Sequence, residues 1–183
     1  MSIKTAFDFA YQAHDGQVRK GGEIPYIVHL LDVAKYLLYE EAPEAVVIAG
    51  ILHDTLEDSN TKKEDLRLQF GNEVVELVSF CTEEGNTVDA KNQKETWKTR
   101  KRHSIDSLKT ATKNQALVFL ADKLSNITAI KEDQIFIGTE IWKRFNAPKE
   151  EIEWYYTSIL AGLGIVNDTR MYRLLSIAIK DVF

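Results

Sequence analysis

The segment from Ile51 to Asp58 combines apolar residues with groups that can bind a metal ion or move a proton. His53 and Asp54 are adjacent in it, and Glu57 and Asp58 follow one helical turn later, at the i+4 positions. Ionised carboxylates are almost never buried unless they are paired or bind a metal, because removing them from water is costly. We therefore expect a cation beside this segment.

Two residues from other parts of the chain could complete a metal site. His29 and Asp122 both lie among apolar residues, and a divalent ion needs ligands from more than one element. Each residue alone has a simpler explanation. A single histidine on an apolar helix is more often a hydrogen-bonded core residue, and Asp122 could be a structural carboxylate paired with Lys123 or an arginine. The combination with His53 and Asp54 is what favours a metal site.

Helices must position these residues, because apolar side chains recur at intervals of three and four and rarely alternate. A capping box at Thr61–Glu64 opens one helix, which we expect to stop at Gly71, and the polar residues 82–95 indicate a loop. We predict an all-α fold without significant sheet. The expected helices cover 6–13, 26–42, 45–52, 61–71, 74 onward, 97–108, 116–130, 149–166 and 168–182.

The candidate ligands fall on different helices of this prediction. His29 belongs to the second helix, and Asp122 belongs to the helix over 116–130. The run 45–52 is almost continuously apolar, which implies that it is buried on all sides. We expect that helix to continue through Asp58, so that one helix presents ligands and proton-transfer groups together. The metal site would then lie between helices.

Composition limits the class of protein. The 183 residues are 44% hydrophobic, which fits a single domain over 1–183. A net charge of -5 argues against broad nucleic-acid binding, because that requires a surplus of Lys and Arg. Cys81 is the single cysteine, so no disulfide can form within the chain, and a reducing cytoplasm fits best. No window approaches the ~20 apolar residues of a membrane span, so we expect a soluble protein.

The order of His29, the His53-Asp54 pair and Asp122 resembles the H…HD…D ligand set of HD-superfamily phosphohydrolases. Within that superfamily, residues 5–165 resemble the hydrolase domain of RelA/SpoT-type alarmone enzymes and their small stand-alone relatives. The family usually has proline where this chain has Leu30, which a helix tolerates. The matching motifs are Gly16-Gln17-Val18-Arg19-Lys20, Pro25-Tyr26-Ile27-Val28-His29, Leu52-His53-Asp54-Thr55-Leu56-Glu57-Asp58, Phe70-Gly71 and Leu120-Ala121-Asp122-Lys123-Leu124-Ser125-Asn126.

This resemblance implies an HD-domain helical bundle with a metal site between its helices and with His29, His53, Asp54 and Asp122 as ligands. Two imidazoles and two carboxylates suit Mn²⁺, which the family favours, and also tolerate Fe²⁺, Co²⁺ or Zn²⁺. The implied reaction is hydrolysis of the 3′-pyrophosphate of (p)ppGpp, or of its adenine analogue (p)ppApp. The products would be GDP or GTP and pyrophosphate, and the process would be alarmone degradation in the stringent response.

The resemblance also assigns roles around the metal. Glu57 and Asp58 would align the nucleophile and move protons. Arg19 and Lys20 match positions that contact the nucleotide, and a guanidinium suits stacking on a purine as well as charge pairing. Without the flanking motif, these two residues would be interpreted as a solvated loop pair. Asn126 matches a position that contacts the nucleoside.

Further substrate contacts are expected from Tyr26 and from a basic cluster. Tyr26 should line the same pocket, with a packing role as the alternative. Lys98, Arg100, Lys101 and Arg102 form a dense basic cluster in an acidic chain, and the substrate phosphates need cations nearby. Lys98 and Arg102 are therefore candidate substrate-binding residues. The alternative is a solvated helix face.

Other conspicuous residues have structural explanations. His14 belongs to the opening motif but matches no metal ligand of the family, so we expect it to make a structural or supporting hydrogen bond. Trp97, Tyr155 and Tyr156 occur at helical spacing, which is typical of core or interface residues.

Two other functions remain open at the level of sequence. One is a different HD phosphohydrolase, acting on deoxynucleotides, 5′-nucleotides or NADPH. The other is a non-catalytic module that binds alarmone as a sensor, although such modules typically lose ligands that this chain retains. Oligomeric state and the choice between guanine and adenine alarmones do not follow from the sequence.

Overall fold

A computed structural model describes residues 2–82 and 90–183, with the side chains of 2–82 and 96–183. The α-helices in these ranges are α1 (Ile3–Ala13), α2 (Ile27–Tyr39), α3 (Glu44–Leu52), α4 (Thr55–Asp58), α5 (Lys63–Cys81), α6 (Ala90–Ser107), α7 (Lys113–Ile137), α8 (Lys149–Gly162) and α9 (Arg170–Val182). Short 3₁₀ segments cover Leu108–Thr110, Gly138–Arg144 and Gly164–Val166. The extended pairing found there is one isolated bridge between Val18 and Pro25. The prediction of an all-α fold is confirmed.

Helix α3 lies at the centre of the fold. Its residues from Val46 to Leu52 are all buried, as the apolar run predicted. It packs against α1, α2, α5 and α7, and α7 in turn packs against α2, α5 and α9. This arrangement brings α2, the C-terminal end of α3 and the middle of α7 together. No helix in the described ranges is both long and apolar enough to cross a membrane.

Helix α7 is longer than predicted, because both of its ends are defined by features outside the apolar run. The Thr112 side chain accepts a hydrogen bond from the Gln115 backbone N–H, and the Gln115 side chain accepts one from the Thr112 backbone N–H. This capping box starts the helix before the first apolar residue. Gly138, with φ +57°, follows its last residue.

Three local predictions can be compared with the structure. Gly71 has φ +82° and interrupts α5, as expected. The capping box is shifted by one residue, because the Asp65 carboxylate accepts from the Lys62 backbone N–H while Thr61 bonds to Ser59 instead. The predicted loop over 82–95 is wrong for residues 90–95, which are helical, and residues 83–89 of it lie outside the described residues.

Gly50 allows α2 to approach α3 closely. A Cβ at this position would lie 2.3 Å from Leu37 Cδ1 and 3.1 Å from Val33 Cγ1, and Leu37 is fully buried. We expect Gly50→Ala to lower the free energy of unfolding by about 1–3 kcal/mol, because overpacking outweighs the better helix propensity of alanine. Denaturant unfolding would measure this. Gly164→Ala is the control, since nothing lies within 4 Å of its added Cβ, and equal losses in both variants would contradict the close packing.

Candidate metal centre

His53 and Asp54 lie in a turn between α3 and α4. The prediction of one unbroken helix through this segment is therefore wrong. Two side chains explain the break, because they occupy carbonyl groups that a continuing helix would use. Thr55 Oγ1 donates to the Leu52 carbonyl over 2.6 Å, and His53 Nδ1 donates to the Gly50 carbonyl over 2.9 Å. The turn directs the two ionisable side chains toward α2 and α7.

The structure brings together the four side chains that we predicted as metal ligands. His29 Nε2 and His53 Nε2 are 3.3 Å apart. Asp54 Oδ2 lies 3.5 Å from His29 Nε2 and 3.0 Å from His53 Nε2. Asp122 Oδ1 lies 3.4 and 3.6 Å from the same two nitrogens. The donor atoms of His29, His53 and Asp54 are all within 4.8 Å of one another, so they could hold a metal ion.

Hydrogen bonds leave one nitrogen of each histidine directed at this cluster. A carbonyl oxygen only accepts, so His53 Nδ1, bonded to the Gly50 carbonyl, carries a proton, and Nε2 is the nitrogen that is available as a metal ligand. His29 Nδ1 lies 2.9 Å from Ser125 Oγ. Partners of this kind orient the histidine ligands of protein-bound metals. Two imidazole nitrogens that face each other so closely are stabilised by a cation between them.

The charges of the cluster also favour a cation. Burial opposes the imidazolium form of His53, but the charge of Asp54 and hydrogen bonds with Asp122 and Asp54 outweigh it, so the pKa of His53 is raised well above its ordinary value. Burial likewise opposes ionisation of both aspartates. The histidines nevertheless hold the pKa of Asp54 well below its ordinary value, and Lys123 and the histidines do the same for the pKa of Asp122. This mixed nitrogen and carboxylate set fits a divalent cation.

Asp58 lies beside the cluster, at the end of α4. The Tyr26 hydroxyl is 2.6 Å from Asp54 Oδ2 and 3.3 Å from Asp58 Oδ2. Partial burial and the charge of Asp54 raise the pKa of Asp58, and they outweigh the opposing effect of the Tyr26 hydrogen bond. A carboxyl group with a raised pKa is suited to accept and return a proton. Glu57, on the same turn of α4, is partly buried.

A cleft of about 560 Å³ opens beside the cluster. His29 contributes to its lining, which connects the cleft to the cluster. Arg19, Lys20 and Asn126, which we predicted to bind the nucleotide, line it as well. Aromatic and aliphatic side chains and three acidic residues, Asp32, Glu132 and Asp133, complete the walls, so the cleft combines charged groups of both signs with apolar surface. This combination suits a phosphorylated ligand that also carries a flat ring.

The basic cluster of α6 reaches this cleft through a different residue from those predicted. Lys98 Nζ lies 2.9 Å from Glu151 Oε1, and Arg102 is exposed. Neither residue is part of the cleft lining in the described part of the chain, whereas Lys101 and Arg144 are. No local pattern could have identified Arg144, which comes from the 3₁₀ segment after α7.

Hydrogen bonds connect the nucleotide-binding candidates to the cluster. Arg19 Nη2 donates to Asn126 Oδ1 over 2.8 Å, and Asn126 Nδ2 donates to Asp122 Oδ1. Lys123 Nζ lies 2.5 Å from the other carboxylate oxygen of Asp122. Tyr26, which we also expected in the pocket, is not among the described residues that line the cleft.

Sequence reasoning missed several residues of this site. Ser125 adjoins Asn126 within one motif, so attention to the whole motif could have found it, whereas the pairing of Asp122 with Lys123 was considered from the sequence and is present in the structure. Tyr155 and Tyr156 were predicted as core or interface residues. They are buried, as expected, but they also line the cleft.

Comparison with known proteins agrees with this geometry. A family model described as an HD domain matches residues 6–145. The chain belongs to the HD-domain family. Guanosine-3′,5′-bis(diphosphate) 3′-pyrophosphohydrolase MESH1 of Homo sapiens is 32% identical to this HD domain over 181 residues, which are 97% of this chain and 90% of that protein.

Longer relatives contain a similar segment. The GTP pyrophosphokinase of Myxococcus xanthus is 45% identical over 80 residues, which cover 44% of this HD domain and 10% of that protein. The guanosine-3′,5′-bis(diphosphate) 3′-pyrophosphohydrolase of Aquifex aeolicus is 36% identical over 129 residues, which cover 70% of this HD domain and 18% of that protein. The chain thus spans less than a fifth of either long relative.

Solved structures share the fold. The crystal structure of lmo0812 from Listeria monocytogenes has a TM-score of 0.74 and 30% identity, and the match covers 85% of this HD domain and 98% of that chain. A metazoan ortholog of SpoT that hydrolyzes ppGpp has a TM-score of 0.79 and 23% identity, with 99% and 96% of the two chains covered. The second match supports the fold alone.

Proposed function

We propose that this HD domain is a metal-dependent phosphohydrolase that removes the 3′-pyrophosphate of ppGpp-type nucleotides. The observation that carries the proposal is the position of the His29, His53, Asp54 and Asp122 cluster beside a cleft lined by cationic and aromatic side chains. The names of relatives such as human MESH1 support the choice of substrate. The long relatives extend far beyond the matched segment, so the proposal does not extend the activity of those whole proteins to this chain.

The four clustered side chains are the proposed ligands, and Mn²⁺ is the proposed ion. When bound, such an ion supplies Lewis-acid chemistry, since it polarises a phosphoryl oxygen and makes water more acidic. Ser125 and the Gly50 carbonyl keep both imidazoles in the orientation that ligation requires. Lys123 and Asn126 hold the Asp122 carboxylate in place.

The cationic residues of the cleft bind and orient the phosphates in this proposal. Arg19, Lys20, Lys101 and Arg144 line the cleft, and their positive charges attract a nucleotide with two diphosphate groups, although Arg144 also pairs with Asp133 of the same lining. The aromatic residues provide surface on which a purine can pack. Lys98 and Arg102 remain candidates for a weaker contribution through the electrostatic field of α6.

Hydrolysis requires a proton to leave the attacking water and a proton to reach the 3′-oxygen. Water attacks the phosphorus attached to the ribose 3′-oxygen, a new P–O bond forms, and the bond from phosphorus to the 3′-oxygen breaks. Asp58 accepts the proton of the water, and its raised pKa suits this role. Glu57, one residue earlier, helps to align the water. Asp58 passes this proton to the 3′-oxygen, which becomes the 3′-hydroxyl of GDP, and pyrophosphate is released.

We also infer a biological setting. Removal of ppGpp is the degradative part of the stringent response, and a nucleotide substrate together with a single cysteine fits the cytoplasm. A second function, dephosphorylation of 5′-nucleotides or NADPH, would use the same cluster and cleft. Nothing in the geometry favours it over the 3′-pyrophosphate reaction.

The experiment that tests this proposal is product analysis with the purified protein and Mn²⁺. We expect ppGpp to yield GDP and pyrophosphate, resolved by anion exchange, and we expect the activity to disappear with excess chelator and to return with added Mn²⁺. Incubation with ppApp, NADPH and ordinary 5′-nucleotides in parallel would define the substrate class. Release of orthophosphate from the 5′-nucleotides, with ppGpp left intact, would overturn the proposal.

A further inference from the structure

Tyr26 connects the candidate metal cluster to the candidate proton-transfer group. Its hydroxyl lies 2.6 Å from Asp54 Oδ2 and 3.3 Å from Asp58 Oδ2. An O–H group that donates to a carboxylate forms a short and strong hydrogen bond. The oxygens of ionised carboxylates only accept hydrogen bonds, so the Tyr26 hydroxyl is the donor. It lies between two groups of like charge.

The environment of Tyr26 keeps its hydroxyl a donor. Tyr26 is partly buried, and Asp54 Oδ2 is the nearer acceptor for its hydroxyl. Tyr26 is not among the described residues of the cleft lining, and neither are Asp54 and Asp58.

The opening segment of the chain holds the Tyr26 ring and the α4 backbone together. The His14 ring stacks on the Tyr26 ring, with centroids 4.9 Å apart and an interplanar angle of 26°. Gln17 Nε2 donates to the Asp58 backbone carbonyl over 2.6 Å. This bond fixes the amide orientation, so Gln17 Oε1 accepts from His14 Nδ1 over 2.8 Å. The Gln17 carbonyl in turn accepts from the Tyr26 backbone N–H over 2.9 Å.

His14 has the features of a support for this arrangement. It is 4% exposed, and its Nε2 is buried without a hydrogen-bond partner among the described residues. A buried nitrogen without a partner is uncommon in proteins. The ring is therefore held by its Nδ1 bond and by the stacking contact, and both connect it to the residues that contact Asp54 and Asp58.

We propose that Tyr26 is a positioning residue, which sets the Asp54 carboxylate for metal binding and the Asp58 carboxylate for proton transfer. The part that concerns proton transfer rests on the proposed function, whereas the part that concerns metal binding does not. Hydrogen-bond partners of metal ligands typically contribute about 10–100-fold to metal affinity. Gln17 and His14 act on the same two groups from the opposite side, through the Asp58 backbone and the Tyr26 ring.

The test compares Tyr26→Phe with the wild-type protein. Isothermal titration calorimetry with Mn²⁺ in the absence of nucleotide is expected to give a Kd about tenfold higher for the variant, because the Asp54 carboxylate loses the bond that orients it. With ppGpp at saturating Mn²⁺, kcat should fall about tenfold while KM stays within about twofold, since loss of a hydrogen bond to a charged group has roughly this effect.

Two further variants keep the result interpretable. Tyr36→Phe removes a partly buried hydroxyl of α2 that lies 3.4 Å from Thr128 Oγ1, outside the site, and it should change neither Kd nor kcat. Gln17→Ala releases the Asp58 backbone without touching Asp54, so kcat should fall several-fold with an unchanged Kd for Mn²⁺. If Tyr26→Phe fails to fold, His14→Ala provides the test, because it removes the ring stacked on Tyr26 and should raise the Kd for Mn²⁺, and an unchanged Kd would contradict the positioning role.

The outcomes separate the two proposals. A higher KM for ppGpp with normal kcat and normal Mn²⁺ affinity in Tyr26→Phe would mean that Tyr26 contacts the substrate, and the positioning role would be wrong. An unchanged Kd for Mn²⁺ would likewise overturn it. If the wild-type protein leaves ppGpp intact, the proposed function fails, but the Mn²⁺ titrations still decide whether Tyr26 positions Asp54.

Discussion

Replacing Asp54 with alanine is expected to abolish both Mn²⁺ binding and ppGpp hydrolysis. Asp54 Oδ2 lies 3.5 and 3.0 Å from the two imidazole nitrogens, so its loss removes one member of the mutually close donor set. A bound ion contributes several kcal/mol of transition-state stabilisation, and each step of about 1.4 kcal/mol is tenfold in rate. We therefore expect turnover to fall about a thousandfold, measured as pyrophosphate release.

Thermal unfolding provides a second measurement that does not depend on the substrate. Mn²⁺ at a hundred times its Kd stabilises a folded protein by about 2.7 kcal/mol, which for a chain of this size raises Tm by roughly 5–10 °C. The wild-type protein should show this shift, and Asp54→Ala should not. Asp8→Ala is a matched control, because Asp8 is exposed on α1 and pairs with Lys4 away from the cluster. Unchanged turnover in Asp54→Ala would show that the proposed site is wrong.

The proximity of His29, His53, Asp54 and Asp122 could be predicted because their combination resembles a known ligand set, although each residue alone had a simpler explanation. Ionisable groups in apolar runs are rare, and His53, Asp54 and Asp122 each lie in such a run. The burial of α3 follows from the same pattern. The turn at His53 was not predicted, since it depends on Thr55 and His53 side chains that compete with the backbone for carbonyl groups.

The cationic side of the cleft was harder to predict because it depends on how distant helices pack. Lys98 and Lys101 are equally basic and three residues apart, but packing against α8 pairs Lys98 with Glu151 and leaves Lys101 on the cleft. Arg144 reaches the same cleft from the segment after α7 and forms an ion pair with Asp133. Charge counts along the sequence predict that cations are available, but not which of them face the substrate.

The contacts of the Tyr26 hydroxyl also depend on packing between distant segments, which the sequence does not show. The motif places Tyr26 three residues before the proposed ligand His29, and a pocket role was the expectation. Its contacts with Asp54 and Asp58 become visible only when the loop after α1 and the turn before α4 are seen together. Contacts of this kind depend on how separate segments pack, which the sequence alone does not give.

Replacing Asp58 with asparagine should separate proton transfer from metal binding. Asparagine keeps the size of the side chain and an oxygen that can accept from Tyr26, but it cannot take up the proton of the attacking water. General acid–base catalysis typically contributes about 10²–10⁴-fold, so we expect kcat to fall at least about a hundredfold. Mn²⁺ affinity, measured by calorimetry, should stay within about threefold, because Asp58 is not a member of the close donor set.

Glu57→Gln in the same assay shows which of the two carboxylates accepts the proton of the attacking water. The pKa of Asp58 is raised by partial burial and by the charge of its neighbour Asp54, and the Asp58 carboxylate also contacts the Tyr26 hydroxyl. We therefore expect the loss in Glu57→Gln to be smaller than in Asp58→Asn. A variant Asp58→Asn that retains more than half of the wild-type kcat would remove Asp58 from the mechanism and leave Glu57 as the base. Since both variants should bind Mn²⁺ normally, the difference between them reports on the chemical step alone.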